Sequence, residues 1–324
     1  SRCQREGRGF DPLCPLQKFI VIKSKFITKI FQNLLKEKDI RVFKKSLFYY
    51  LTFRIIRNFL DSDIIIKIFN FKVYGSIKKN NTSYFLLKKC EFGDNHEMET
   101  IGRLSKNNKT LLLDCGSNYG FYSFYTASIS SDNKVIAVEA SKNTSVSFLK
   151  NLELNNFKNI SFYNLAVSDQ DNSEVIFNES ENDWESSLTH NDYAFGPVEK
   201  IKTCKIDTLL NKYSLQDYIL FFKLDIEGNE INAIKGGIKT IREFSPIIII
   251  EFSKFIFDKE ENIDYLKEFL INSEYQIYDT NKNVVEMKDI LIKINQLTKR
   301  HKTIGNFYLI KNNSKELELF KKND

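Results

Sequence analysis

Thr110-Leu111-Leu112-Leu113-Asp114-Cys115-Gly116-Ser117-Asn118-Tyr119-Gly120 is an apolar run that breaks into a turn bounded by two glycines. A continuous apolar run ended by turn residues is what a strand buried on both faces requires. Phe121 to Ser128 then follows as a helix, so the turn joins strand to helix. Gly116 and Gly120 let the backbone turn tightly and lie flat against a ligand. The helix start offers free N–H groups and the positive end of its dipole. Asp114 adds negative charge at the strand tip. Together these suit a ligand with a cationic centre and an amino-acid end better than a pyrophosphate. Asp114 also stands where the dinucleotide fingerprint G-x-G-x-x-G needs its first glycine, and no Gly-Lys-Ser/Thr phosphate loop occurs.

Outward from this turn the rhythm is strand, helix, strand, as in an α/β layer fold. Strands are expected at Lys134–Val138, Ile160–Tyr163, Ile219–Leu224, the run Pro246 to Ile250, Tyr275–Tyr278 and Gly305–Ile310. Helices are expected at Ser145–Leu154, with Val146, Leu149 and Leu152 on one side, from Glu230, and near Ile263–Ile271. In parallel α/β sheets the C-terminal strand ends share a ligand crevice. Glu139 ends the strand after the glycine turn, 25 residues beyond Asp114. A carboxylate there can accept from both hydroxyls of a ribose. It could instead stabilise a helix N-terminus; Asp114 upstream favours the ribose role. Phe222-Lys223-Leu224-Asp225-Ile226-Glu227-Gly228-Asn229-Glu230 is a second strand-into-helix turn and puts Lys223, Asp225 and Glu227 at another tip. Neighbouring carboxylates repel and raise a pKa, which makes a general base. Glu230 reads as a first-turn helix carboxylate, and Glu251 as a supporting group at the next tip.

These residues carry a resemblance. D-C-G-S-N-Y-G, V-E-A-S, N-L-E-L-N-N, K-L-D-I-E-G-N-E and P-I-I-I-I-E-F, in this order and spacing, resemble the FkbM family of S-adenosylmethionine-dependent methyltransferases. Smaller echoes are Ala166-Val167-Ser168-Asp169, Ser186-Ser187-Leu188 and Ile206-Asp207-Thr208-Leu209-Leu210, and the likeness covers roughly residues 90–310. Cys115 and Ser117 depart from it, where the family more often has a β-branched residue and Ala. The resemblance implies an α/β fold: a Rossmann-like, seven-stranded class I methyltransferase sheet with helices on both faces. It implies S-adenosyl-L-methionine as cofactor, with Asp114, Gly116, Asn118 and Gly120 around its methionine part and Glu139 on its ribose. The Asn164–Asp169 turn, Ala166 included, would lie near adenine. Asp225 and Glu227 would face the transferring methyl as catalytic residues, without a metal, although Asp225, Glu227 and Glu251 could hold one. The expected reaction is O-methylation of a hydroxyl on a sugar, glycan or secondary metabolite. His190, in the polar stretch Glu179–Lys200 beside Trp184 and Tyr193, is an outside candidate for the base, and that stretch a candidate lid.

Composition bounds the rest. The formal charge of +6 is uneven: residues 1–60 carry 14 Lys+Arg against 4 Asp+Glu, a balance of +10 that leaves −4 for residues 61–324. Nucleic acid is therefore not the expected partner of the acidic body. Residues 18–62 show basic amphipathic helical stripes over 26–35 and 43–56; a pair of helices packed on the body with solvated lysine faces is the favoured reading, and a peripheral contact with anionic lipid or nucleic acid through residues 18–60 the alternative. Ser1 to Gln17 differs sharply in composition and is expected to be a non-native or disordered leader, a translated stretch resembling a transfer-RNA gene. Residues 63–104 read as a small entry subdomain with strands at Ile64–Tyr74 and Ser83–Lys88 and a helix at Met98–Leu104. Residues 105–312 read as the methyltransferase domain and 313–324 as a charged tail. Five scattered cysteines, odd in number and without C-x-x-C, suit a reducing, cytoplasmic setting rather than a disulfide framework. Two other function classes stay open: a nicotinamide-dependent oxidoreductase, and a non-catalytic module that binds membrane or RNA through residues 18–60.

Overall fold

The computed structural model describes residues 20–22, 63–76, 95–178, 198–298 and 302–322. The leader, the basic stripes over 26–56, the strand at Ser83–Lys88 and the stretch with Trp184, Ser186, His190 and Tyr193 lie outside the described residues. The chain divides into two compact units, residues 1–95 with 146–157 and residues 96–145 with 158–324.

In the first unit, β1 (Ile20–Ile22), β2 (Asp63–Ile68) and β3 (Phe71–Ser76) form an antiparallel sheet in that order. The single strand expected over Ile64–Tyr74 is a hairpin. Its turn is made by Phe69, at φ 49, and Asn70. Ile68, Phe71 and Val73 are buried.

The second unit holds α1 (Asn95–Asn107), β4 (Thr110–Cys115), α2 (Phe121–Ile129) and β5 (Lys134–Val138). Then come α3 (Lys142–Asn155), which enters the first unit from Val146, β6 (Ile160–Tyr163), β7 (Ala166–Val167), β8 (Glu174–Asn178) and β9 (Val198–Cys204). Next are α4 (Ile206–Leu210), β10 (Ile219–Leu224), α5 (Glu230–Gly236), α6 (Ile238–Phe244) and β11 (Ile247–Ser253). The last are α7 (Lys254–Phe257), α8 (Glu260–Asn272), β12 (Tyr275–Tyr278), β13 (Val284–Val285), α9 (Met287–Asn295), β14 (Thr303–Lys311) and α10 (Lys315–Lys321).

The main sheet runs β13-β12-β14-β11-β10-β4-β5-β6. Strands β6, β5, β4, β10 and β11 pair in parallel, while β14 is antiparallel to both neighbours. Seven strands form the expected class I sheet, and the two-residue β13 extends its edge. From β4 the chain steps outward to β6, then returns to β10 on the other side of β4. That reversal opens a crevice at the C-terminal tips of β4 and β10. Leu111, Leu113, Phe222, Ile248 and Ile250 are buried and belong to the core beneath it, which explains why these strands read as continuous apolar runs.

Residues 164–218 hold a small sheet, β7-β9-β8, that has no counterpart in the apolar pattern. The charged tail is corrected to a helix: Ser314 caps α10 by accepting from Leu317 N at 3.1 Å. Phe320 is buried, 4.8 Å from the Tyr308 ring and 5.7 Å from that of Tyr278. Among the described residues, no helix is long and apolar enough to cross a membrane.

Candidate functional site

The glycine turn after β4 is held from both sides. Gly116 N and Ser117 N donate to Val138 O at 2.9 and 3.0 Å, binding the turn to the tip of β5. On the other side Asp225 N donates to Cys115 O at 3.2 Å. Gly116 has φ +77, and a Cβ there would meet Asp225 O at 1.9 Å. Both the conformation and the space therefore require glycine. Asn118, at φ 49, and Gly120, at φ 88, complete the turn into α2.

Asp114 is 1% exposed. Its Oδ2 accepts from the Ser123 hydroxyl at 2.6 Å, while Oδ1 is buried without a partner. Burial raises its pKa, the Lys223 ammonium and the Ser123 hydroxyl pull it back, and the Asp225 charge adds to the rise. The hydroxyl of Ser117 is also buried and unpartnered. Cys115 is fully buried in the core, so this departure from the family pattern does not touch the crevice side of the turn.

Glu139 sits at the next tip with both oxygens engaged. Oε2 accepts from Asn118 N at 2.9 Å and Oε1 from Ser141 N at 2.8 Å. Burial pushes its pKa up to about 7 against the pull of those hydrogen bonds. Asn164 donates to Glu139 O, Ala140 O and Ser145 Oγ at 2.8, 3.0 and 3.0 Å, clamping the end of β6 to β5. Ala166 is 2% exposed and pairs with Thr203. Its neighbour Val167 offers its carbonyl to Asn229 Nδ2 at 2.7 Å, which fixes β7 to the turn after β10.

That turn carries the second set. Lys223 is 3% exposed and pairs in register with Asp114 across β10 and β4. Its Nζ lies 2.6 Å from Asp225 Oδ2 and 4.7 Å from the Tyr122 ring centroid. Glu227 stands at φ 53. Ligand oxygens of Asp225, Glu227 and Glu251 all lie within 4.8 Å of one another. Three carboxylates so placed can share a proton or a cation, and an all-oxygen set of this kind suits magnesium or calcium. Glu251 is pushed up to about 8 by burial and then by the charges of Asp225 and Glu230. Glu230 turns Oε1 to Ile226 N and Gly228 N at 3.0 and 3.2 Å, as a first-turn carboxylate does, and leaves Oε2 buried without a partner.

The tips of β4, β5 and β10 thus bring Asp114, Gly116, Asn118, Gly120, Glu139, Asp225 and Glu227 to one end of the sheet. Sequence reasoning missed Ser123, whose only signal is a hydroxyl in the first turn of the helix after the glycine turn. It also ranked Glu251 as a supporting group, although Glu251 stands beside Asp225 and Glu227.

Residues 114–284, just over half of the chain, match the Methyltransferase FkbM domain. The chain belongs to the FkbM methyltransferase family. A search of curated proteins returned no match. Similar solved structures include a methyltransferase FkbM from Methylobacillus flagellatus KT, at 16% identity and TM-score 0.38, with 70% of this chain and 52% of that one covered. This FkbM family member therefore spans about half the length of that protein. TYW2 from M. jannaschii in complex with AdoMet is similar at 14% identity and TM-score 0.37, with 78% and 84% covered. A putative rRNA-methylase from Clostridium thermocellum is similar at 11% identity and TM-score 0.37, with 66% and 90% covered. These likenesses are distant; the family assignment rests on the sequence match.

Proposed function

We propose that the chain is an S-adenosylmethionine-dependent O-methyltransferase acting on a hydroxyl of a sugar, glycan or secondary metabolite. The observation that carries the cofactor reading is the unpaired, buried Oδ1 of Asp114 beside the glycine turn. An orphaned buried carboxylate oxygen costs free energy until a donor or a cation meets it. The amino end of the methionine part, close to a sulfonium, supplies both. Gly116 and Gly120 clear the backbone for it, and Glu139 has further lone pairs for ribose hydroxyls beyond the two it already uses. Ala166 lies on the strand that Asn229 ties to this end, where an adenine edge would rest.

When bound, the cofactor supplies a methyl group on a sulfonium, already a strong leaving group. The chain's own task is then alignment and proton removal. Asp225 and Glu227 face the acceptor hydroxyl and take its proton, with Glu251 close enough to share it. The carboxylate-lined end repels anionic acceptors, which favours a neutral, polyhydroxylated one over nucleic acid. Membership of the methyltransferase family supports this reading over a nicotinamide-dependent one.

The test is transfer from methyl-labelled S-adenosylmethionine to a panel of neutral sugars, glycans and small alcohols, with RNA and phosphorylated sugars as comparators. We expect alkali-stable methyl ethers on neutral acceptors, and a rate lowered at least about a hundredfold in Glu227→Gln. Methylation of RNA, or of amines alone, would contradict the proposed acceptor class.

A further inference from the structure

A buried ammonium stands at the end of the sheet where a cationic methyl donor is proposed to bind. Lys223 is 3% exposed, and burying an ammonium is costly unless it is paired and solvated by dipoles. The structure supplies both: Asp225 Oδ2 at 2.6 Å, and the face of the Tyr122 ring 4.7 Å from Nζ. Lys223 and Asp225 lie two residues apart, so an extended strand end places both on one face. Their direct contact holds the Asp225 carboxylate in one orientation. The reach of the charge goes further, because Lys223 lowers the carboxyls of both Asp114 and Glu251. It therefore acts on the cofactor half at β4 and on the acceptor half at β11.

This matters for a group that loses its charge on reaction. Methyl transfer turns a sulfonium into a neutral thioether as the acceptor oxygen gains the methyl and gives up its proton. Carboxylates that bind the sulfonium tightly stabilise the starting state more than a transition state in which that charge is dispersing. An ammonium among them offsets part of that ground-state stabilisation. We infer that Lys223 is a positioning residue that orients Asp225 and trims the negative field felt by the methyl donor, keeping charged donor and neutral product comparably bound. The inference rests on the cofactor reading above.

S-adenosylmethionine and S-adenosylhomocysteine differ by one methyl and one unit of charge, so the ratio of their affinities reads the field directly. Calorimetry on the full chain would compare wild type with Lys223→Met, Lys223→Arg and Asp225→Asn. Loss of one unit charge nearby should shift the ratio about tenfold toward S-adenosylmethionine in Lys223→Met. Lys223→Arg keeps the charge, and its ratio should stay within about threefold of wild type. Asp225→Asn should shift the ratio the opposite way. The Asp225 side chain is 33% exposed, and Asn keeps an oxygen for the ammonium, so this variant remains informative if Lys223→Met fails to fold. A purely structural Lys223 would weaken both ligands in parallel. An unchanged ratio in both Lys223→Met and Asp225→Asn overturns the inference. A wild-type protein that binds neither ligand overturns the cofactor reading itself, and this inference with it.

Discussion

Glu139 and Gly116 show how much a single position carries. Glu139 is pushed up to about 7 by burial, so it passes from carboxylate to acid within the working range of most assays. Its ionised form is the one that accepts two ribose hydroxyls, and protonation removes that capacity. Affinity for S-adenosylhomocysteine should therefore fall between pH 8 and pH 6, and Glu139→Gln should bind weakly at both. Calorimetry at the two pH values checks this. Gly116→Ala meets Asp225 O and keeps a left-handed φ, with no flexible side chain able to give way. We expect at least about 2 kcal/mol of lost stability by denaturant unfolding, together with loss of cofactor binding. The motif residues were legible because glycine, Asp114 and Glu139 mark strand ends by type. Ser123 was not, since only the folded turn brings its hydroxyl onto Asp114, and Glu251 was legible only as a supporting group at its strand tip.

Strands were legible where apolar residues run together, at the edge strand β6 as well as in the buried centre of the sheet. The strands over 134–138, 160–163, 219–224 and 275–278 match their apolar runs to the residue. The helix α3 does not bury the face that its apolar residues suggest. Val146 and Leu149 are each 48% exposed, while Ser145, Phe148 and Asn151 are buried. Polar side chains take that face because they bond there: Asn151 Oδ1 accepts from Tyr74 N at 2.6 Å, and Ser145 Oγ donates to Ser141 O at 2.7 Å. Hydrophobic periodicity cannot register a face built on hydrogen bonds. Strand β7 escaped for a related reason, since a two-residue strand has no period. Asp207 illustrates the same kind of support. It caps the start of α6 by accepting from Thr240 N at 2.9 Å, Thr240 Oγ1 at 2.7 Å and Lys239 N at 3.2 Å. Asp207→Ala should cost about 1–2 kcal/mol in urea unfolding. Affinity for S-adenosylhomocysteine should stay at the wild-type value, because this cap lies outside the crevice-lining set.

Across the whole chain, the +6 total conceals an acidic body whose carboxylates are gathered at one end of the sheet. Glu139 and Glu230 are raised to about 7 and Glu251 to about 8, each mainly by burial. A carboxyl raised on folding binds its proton more tightly in the folded state. Its contribution to stability is present at low pH and is lost as pH rises through 7 to 8. The ligand-free protein should therefore melt at a higher temperature at pH 6 than at pH 8. Glu230→Gln should remove about 1 kcal/mol of that dependence, read from unfolding curves at the two pH values. Stored electrostatic cost of this kind suits a crevice completed by a cationic ligand. The most direct measurement is a calorimetric titration of S-adenosylmethionine into the full chain and into Asp114→Asn. One site per chain is expected, with affinity at least about tenfold weaker in the variant. Absence of binding to wild type, or equal affinity in the two proteins, would contradict the cofactor reading.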